Sequence, residues 1–70
     1  MLNHDQRMGQ LRSRGYTLEK AAKIITDEMS GPVTKQALSM VLNEQRKSIR
    51  LRKDLAVLMG LPYQVVWNND

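Results

Sequence analysis

Six basic side chains and one acid fall within the twenty positions from Thr34 to Lys53. They are Lys35, Arg46, Lys47, Arg50, Arg52 and Lys53 against Glu44, a local charge of +5. The other fifty residues carry five bases and six acids, or −1, so the whole excess of this +4 chain lies in one stretch. Concentrated positive charge draws polyanions and speeds their encounter. The same stretch holds neutral polar side chains at helical spacing. If a helix starts at Thr34, then Gln36, Ser39, Met40, Asn43 and Lys47 lie opposite Leu38, Val41 and Leu42. A face built only to be wetted would carry Glu and Lys. Short polar side chains instead let the backbone approach a surface. Gln and Asn can bond an adenine edge with two hydrogen bonds, Lys reaches guanine, and Met can touch a thymine methyl.

Other chemistries find little support. No cysteine is present, so there is neither a disulfide framework nor a thiolate metal site, and His4 is the only histidine. Paired carboxylates in an apolar setting, a nucleophile beside a base and a phosphate-cradling glycine loop are all missing, so no catalytic residue, metal ligand or cofactor site is expected. No apolar run approaches the ~20 residues of a membrane span. Met1 to Arg12 lacks the apolar core of a signal peptide. The expectation is a cytoplasmic, nucleoid-associated protein of one domain, residues 1–70, with no small-molecule substrate and no membrane partner. A chain this short buries only about 60% of its unfolded surface, which leaves little room for a deep cavity.

Glycine and proline divide the chain into the elements that must position the basic stretch. Breaks fall at Gly15, Gly31-Pro32 and Gly60-Leu61-Pro62. A first helix over about Asn3 to Arg14 opens with a capping box, Asn3 and Gln6, and turns Met8 and Leu11 inward. A second starts at Thr17 and carries the stripe Leu18, Ala21, Ala22, Ile25 and Met29. Asp27 and Glu28 sit at its disfavoured end. The third, about residues 34–45, is capped by Thr34, with Val33 and Leu38 placed as a hydrophobic staple. The fourth starts near Ser48 and buries Leu51, Leu55, Leu58 and Met59. Arg50, Arg52 and Lys53 crowd its first turn, the wrong end of the dipole for cations, so an external anion is expected to repay them. Gly60-Leu61 closes it, and Pro62 opens a short turn in which Tyr63, Val66 and Trp67 share a face. Residues Asn68 to Asp70 are expected to fray. The fold class is all-α: a compact bundle of about five short helices.

This order resembles the helix-turn-helix domain of phage repressors and Cro-like regulators. The resemblance is carried by Thr17-Leu18-Glu19-Lys20-Ala21-Ala22 and by the run from Val33 through Thr34 and Lys35 to Asn43. The ending, Leu55 to Trp67 with its Gly60-Leu61-Pro62, looks like that of the Ner-like branch. One departure stands out: Ala21 and Ala22 precede Gly31 by ten and nine residues, where the family has four. Either the first helix of the motif or the connection after it is longer, over residues 24–32. The resemblance implies a lambda-repressor-like fold and a repressor-like transcriptional regulator of phage or mobile-element type. Its partner would be a double-stranded DNA operator, with the third helix in the major groove. Lys35, Gln36, Ser39, Met40 and Asn43 would read bases. Thr17, Thr34, Arg46, Lys47, Ser48, Arg50, Arg52 and Lys53 would hold phosphates. A homodimer on DNA is expected, with Val65, Val66 and Trp67 as its contact; the competing expectation is that Val66 and Trp67 plug the monomer core.

Two other classes stay open. An RNA-binding module would use Arg46 to Lys53 as an arginine-rich helix, though it leaves Gln36, Ser39 and Asn43 idle. A protein-interaction module, antirepressor- or antitoxin-like, needs an exposed apolar patch, for which Val57, Val65 and Val66 are the spare residues. A membrane-surface helix over Leu51 to Met59 is explained more simply by core packing.

Overall fold

The computed structural model describes residues 1–67 and holds five helices: α1 His4–Ser13, α2 Leu18–Glu28, α3 Lys35–Leu42, α4 Ile49–Met59 and α5 Tyr63–Val66. Among the described residues there is no strand. The frayed end expected at Asn68 to Asp70 lies outside the described residues.

Four caps set the starts of the long helices. Asn3 Oδ1 accepts from Gln6 N at 2.8 Å while Asn3 N donates to Gln6 Oε1 at 2.9 Å, the reciprocal box. The hydroxyl oxygens of Thr17, Thr34 and Ser48 accept from Lys20 N, Ala37 N and Leu51 N. Glycine sets two of the stops. At Gly15 and Gly60 the chain turns left-handed, at φ 82° and 69°. The residue beyond each donates back to a carbonyl of the last turn, Tyr16 N to Leu11 O and Leu61 N to Ala56 O.

α2 continues through Glu28, and the connection to α3 runs from Met29 to Thr34. The lengthening read in the sequence is thus shared between helix and connection. The connection is braced at both ends. Thr26 Oγ1 donates to Val33 O and accepts from Val33 N, and Ser30 Oγ donates to Asp54 on α4.

α3 stops at Leu42, three residues short of the expected end. Glu44 takes the left-handed conformation, φ 59°, that glycine holds elsewhere. Glu44 N donates to Val41 O and Gln45 N to Met40 O, the same closure with no glycine in it. A left-handed non-glycine residue costs on the order of 1–2 kcal/mol, and its side chain shows what offsets that. The Glu44 carboxylate sits 3.6 Å from Arg7 Nη1 and 3.9 Å from Arg52 Nη2.

The core joins all five helices: Leu11, Ala21, Ala22, Ile25, Leu38, Val41 and Leu42 meet Leu51, Leu55, Ala56, Leu58, Met59, Val66 and Trp67. Trp67 is fully buried. Its Nε1 donates to Arg52 O at 2.9 Å, and the Arg7 and Arg52 guanidiniums lie over its ring at 4.2 and 5.1 Å. Two expectations are corrected here. Val66 and Trp67 cannot form a dimer contact, because both have no exposed surface. Arg52 cannot hold a phosphate, because it is 5% exposed and its charge faces Glu44 and the indole.

Candidate nucleic-acid interface

α3 presents one open arc. At about 100° per residue, Gln36, Ser39, Met40 and Asn43 fall within roughly 100° of each other, and Leu38, Val41 and Leu42 point the other way. The structure agrees side chain by side chain. Lys35, Gln36 and Asn43 are exposed, Ser39 and Met40 are half-buried, and the three apolar residues are fully buried. The arc holds no acid, so nothing on it repels a polyanion.

Two shallow clefts border the first turn of this helix. One is lined by Lys35 together with Met8, Arg12, Thr17, Leu18 and Glu19, where the end of α1 meets the start of α2. The other is lined by Thr34 and Ala37 together with Arg46, Arg50, Pro32 and Leu51. Lys35 and Ala37 project about 100° to either side of Gln36. The first turn of α3 thus contributes to both clefts, and each cleft brings together a cap hydroxyl and at least two cations. Thr17 and Thr34 accept a backbone N–H through the hydroxyl oxygen, which leaves each O–H free to donate to an anion.

The remaining phosphate candidates divide. Arg46, Lys47 and Lys53 are exposed, and Ser48 is half-buried at the cap of α4. Arg50 is exposed but already engaged, donating from Nη1 to Ser30 Oγ at 3.1 Å and from Nη2 to Pro32 O at 3.2 Å. Of the three cations crowding the start of α4, Arg52 is therefore met from inside the protein by Glu44 and the indole, while Arg50 is positioned by neutral oxygens of the α2–α3 connection that do not balance its charge. The expected external anion is therefore not required by Arg52, and Arg50 and Lys53 keep their place in that expectation.

Comparison of the chain with protein-family models, curated proteins and solved structures finds no match.

Three residues contribute that sequence reasoning passed over. Arg12 completes the Thr17–Lys35 cleft. Arg7, 1% exposed, holds the far end of α3: its Nη1 donates to Leu42 O at 2.8 Å and its Nε to Val66 O at 3.2 Å. A cation at two helix C-termini is favoured by both dipoles. Burial is the largest influence on Arg7 and holds its guanidinium below the ordinary value. The Glu44 carboxylate, 3.6 Å away, opposes this through its charge, while Arg52 adds to it. Glu44 is the third, the carboxylate that joins the two buried cations. A signal for the arginines was present. Arg7 stands four residues before Leu11, and Arg52 stands three, four and seven before Leu55, Ala56 and Met59, so both lie on apolar stripes.

No described helix is long and apolar enough to cross a membrane. No cluster of three His, Cys, Asp or Glu side chains able to hold a metal forms among the described residues.

Proposed function

We propose that this protein binds double-stranded DNA sequence-specifically, as a repressor-like transcriptional regulator, with α2 and α3 acting as a helix-turn-helix and α3 in the major groove. The observation that carries the reading is the open arc of α3 bordered on both sides by clefts that pair a cap hydroxyl with cations. Lys35, Gln36, Ser39, Met40 and Asn43 are the base-reading set. Thr17, Thr34, Arg46, Lys47, Ser48, Arg50 and Lys53 hold the backbone, and Arg12 joins them. An α-helix fits the major groove, where bidentate amide and lysine contacts discriminate bases, and phosphate contacts fix its register. Arg7, Glu44 and Arg52 act behind the interface by holding the C-terminal end of α3.

Selection from a pool of random duplex DNA with structured RNA as competitor tests the reading. The expected result is enrichment of one short motif that RNA does not displace. Displacement by RNA, or recovery of no motif, rejects it.

A further inference from the structure

We infer that the cavity between the α2–α3 connection and α4 binds a small organic anion, a carboxylate on a short apolar chain. This open cleft, the one that Thr34 and Ala37 border, measures about 380 Å³, the small end of the range for ligand sites. Its lining is mixed in character. Pro32, Val33, Ala37 and Leu51 make the apolar part, called the floor, and Thr26, Thr34, Arg46 and Arg50 make the polar part, whose exposed side chains form the rim.

The charge at this rim is not spent internally. Among the described residues, Arg50 bonds only the neutral oxygens of Ser30 and Pro32, and the Ser30 hydroxyl in turn bonds Asp54. Among the described residues the Arg46 guanidinium bonds no carboxylate, and its backbone N–H donates to Met40 O. A planar guanidinium offers paired N–H groups that match a carboxylate, and the hydroxyl of Thr34 has a proton left to give. An inorganic anion would satisfy the rim and leave the floor wet. A neutral apolar molecule would cover the floor and leave both guanidiniums unmatched. A carboxylate with roughly five to eight carbons does both.

The inference stands apart from the DNA reading. It becomes regulatory only if that reading holds, since the ligand then competes with a phosphate for Arg46 and Arg50.

The test uses the full chain free of DNA. Hexanoate, hexanamide and inorganic phosphate are titrated separately while the backbone amide signals of Val33, Ala37 and Leu51 are followed by NMR. Hexanoate should shift these signals saturably in the millimolar range, as expected for a ligand of this size. Hexanamide and phosphate should each bind at least about fivefold more weakly. Arg46→Gln, which breaks no side-chain bond among the described residues, should weaken hexanoate about fivefold and leave the other amides in place. Absence of saturable shifts overturns the proposal. So does equal binding of hexanamide, equal binding of phosphate, or an Arg46→Gln variant with unchanged affinity.

Discussion

Gln36 and Arg46 differ in what each can know about a DNA sequence. Gln36 stands in the middle of the open arc, where in the proposed complex its amide would meet a base edge. Arg46 lies past the end of α3, in the lining of a cleft, where in the proposed complex its guanidinium would meet a phosphate. Gln36→Ala should therefore cost about 1–3 kcal/mol on the preferred site and little on random duplex. Arg46→Ala should weaken both to a similar degree and flatten the salt dependence by about one unit. Equal losses on both DNAs for Gln36→Ala would remove α3 from base reading. Glu44 gives a second prediction, about stability. Its carboxylate faces two buried arginines while its backbone is strained. Because Glu44 is 39% exposed, the pairing is partly screened, and Glu44→Gln should cost about 1–2 kcal/mol by chemical denaturation. Glu44→Gly loses the same carboxylate but relieves the backbone, so it should be the more stable of the two by about 0.5–1 kcal/mol. A Gln variant as stable as the parent would show that the carboxylate adds nothing. At this scale the arc was legible because polar and apolar residues alternate with the helical period. The fate of each cation was not. A long guanidinium stem can reach water or bury against an indole from the same position, and Trp67 lies 15 residues beyond Arg52.

Among the elements, starts were easier to read than stops. Asn3, Thr17, Thr34 and Ser48 were each identifiable as caps because an N-cap is a local matter of one side chain and a nearby N–H. Gly15 and Gly60 were legible for the same reason. The end of α3 was not, because Glu44 is held left-handed by arginines from α1 and α4, a tertiary contact that overrides its own preference. The lengthened segment after Ile24 was visible as an excess of residues, but its division between helix and connection depends on Thr26, Ser30, Asp54 and Arg50 meeting across three elements. α1 carries a correctable weakness. Gly9 lies inside the helix on its exposed side, and a Cβ built there meets nothing within 4 Å. Gly9→Ala should stabilise the fold by about 0.5–1 kcal/mol, which for a domain of this size raises Tm by roughly 2–8 °C. Thermal melts by circular dichroism at 222 nm would read it, and an unchanged or lower Tm would mean that α1 is not a continuous helix at Gly9.

For the whole molecule, the question is how many chains occupy one site. Losing Arg52 to the core and gaining Arg12 leaves about five cations per chain to meet phosphates, so log K should fall with log[salt] at a slope of about −4 to −5 per chain. A helix of eight residues reads only a few base pairs, and two such helices in successive major grooves stand about 34 Å apart. The two-fold axis then lies about 17 Å from each α3, within the 27 Å length of the molecule. Val66 and Trp67 are buried and cannot serve at that axis. Val65 is 44% exposed on α5, which packs on α4, and Val57 on α4 is 67% exposed. Two valines make a small patch, far below the area of a stable interface. The expected behaviour is a monomer in free solution and two chains on a palindromic site, held together mainly by the DNA. Ultracentrifugation should give a mass near 8.1 kDa without DNA and two chains per duplex with it. Val65→Asp should weaken binding of the second chain while leaving the melting temperature unchanged, because Val65 is not part of the core. A single chain saturating a non-palindromic site would show that α3 reads its few base pairs alone, and the exposed valines would then have no part in DNA binding.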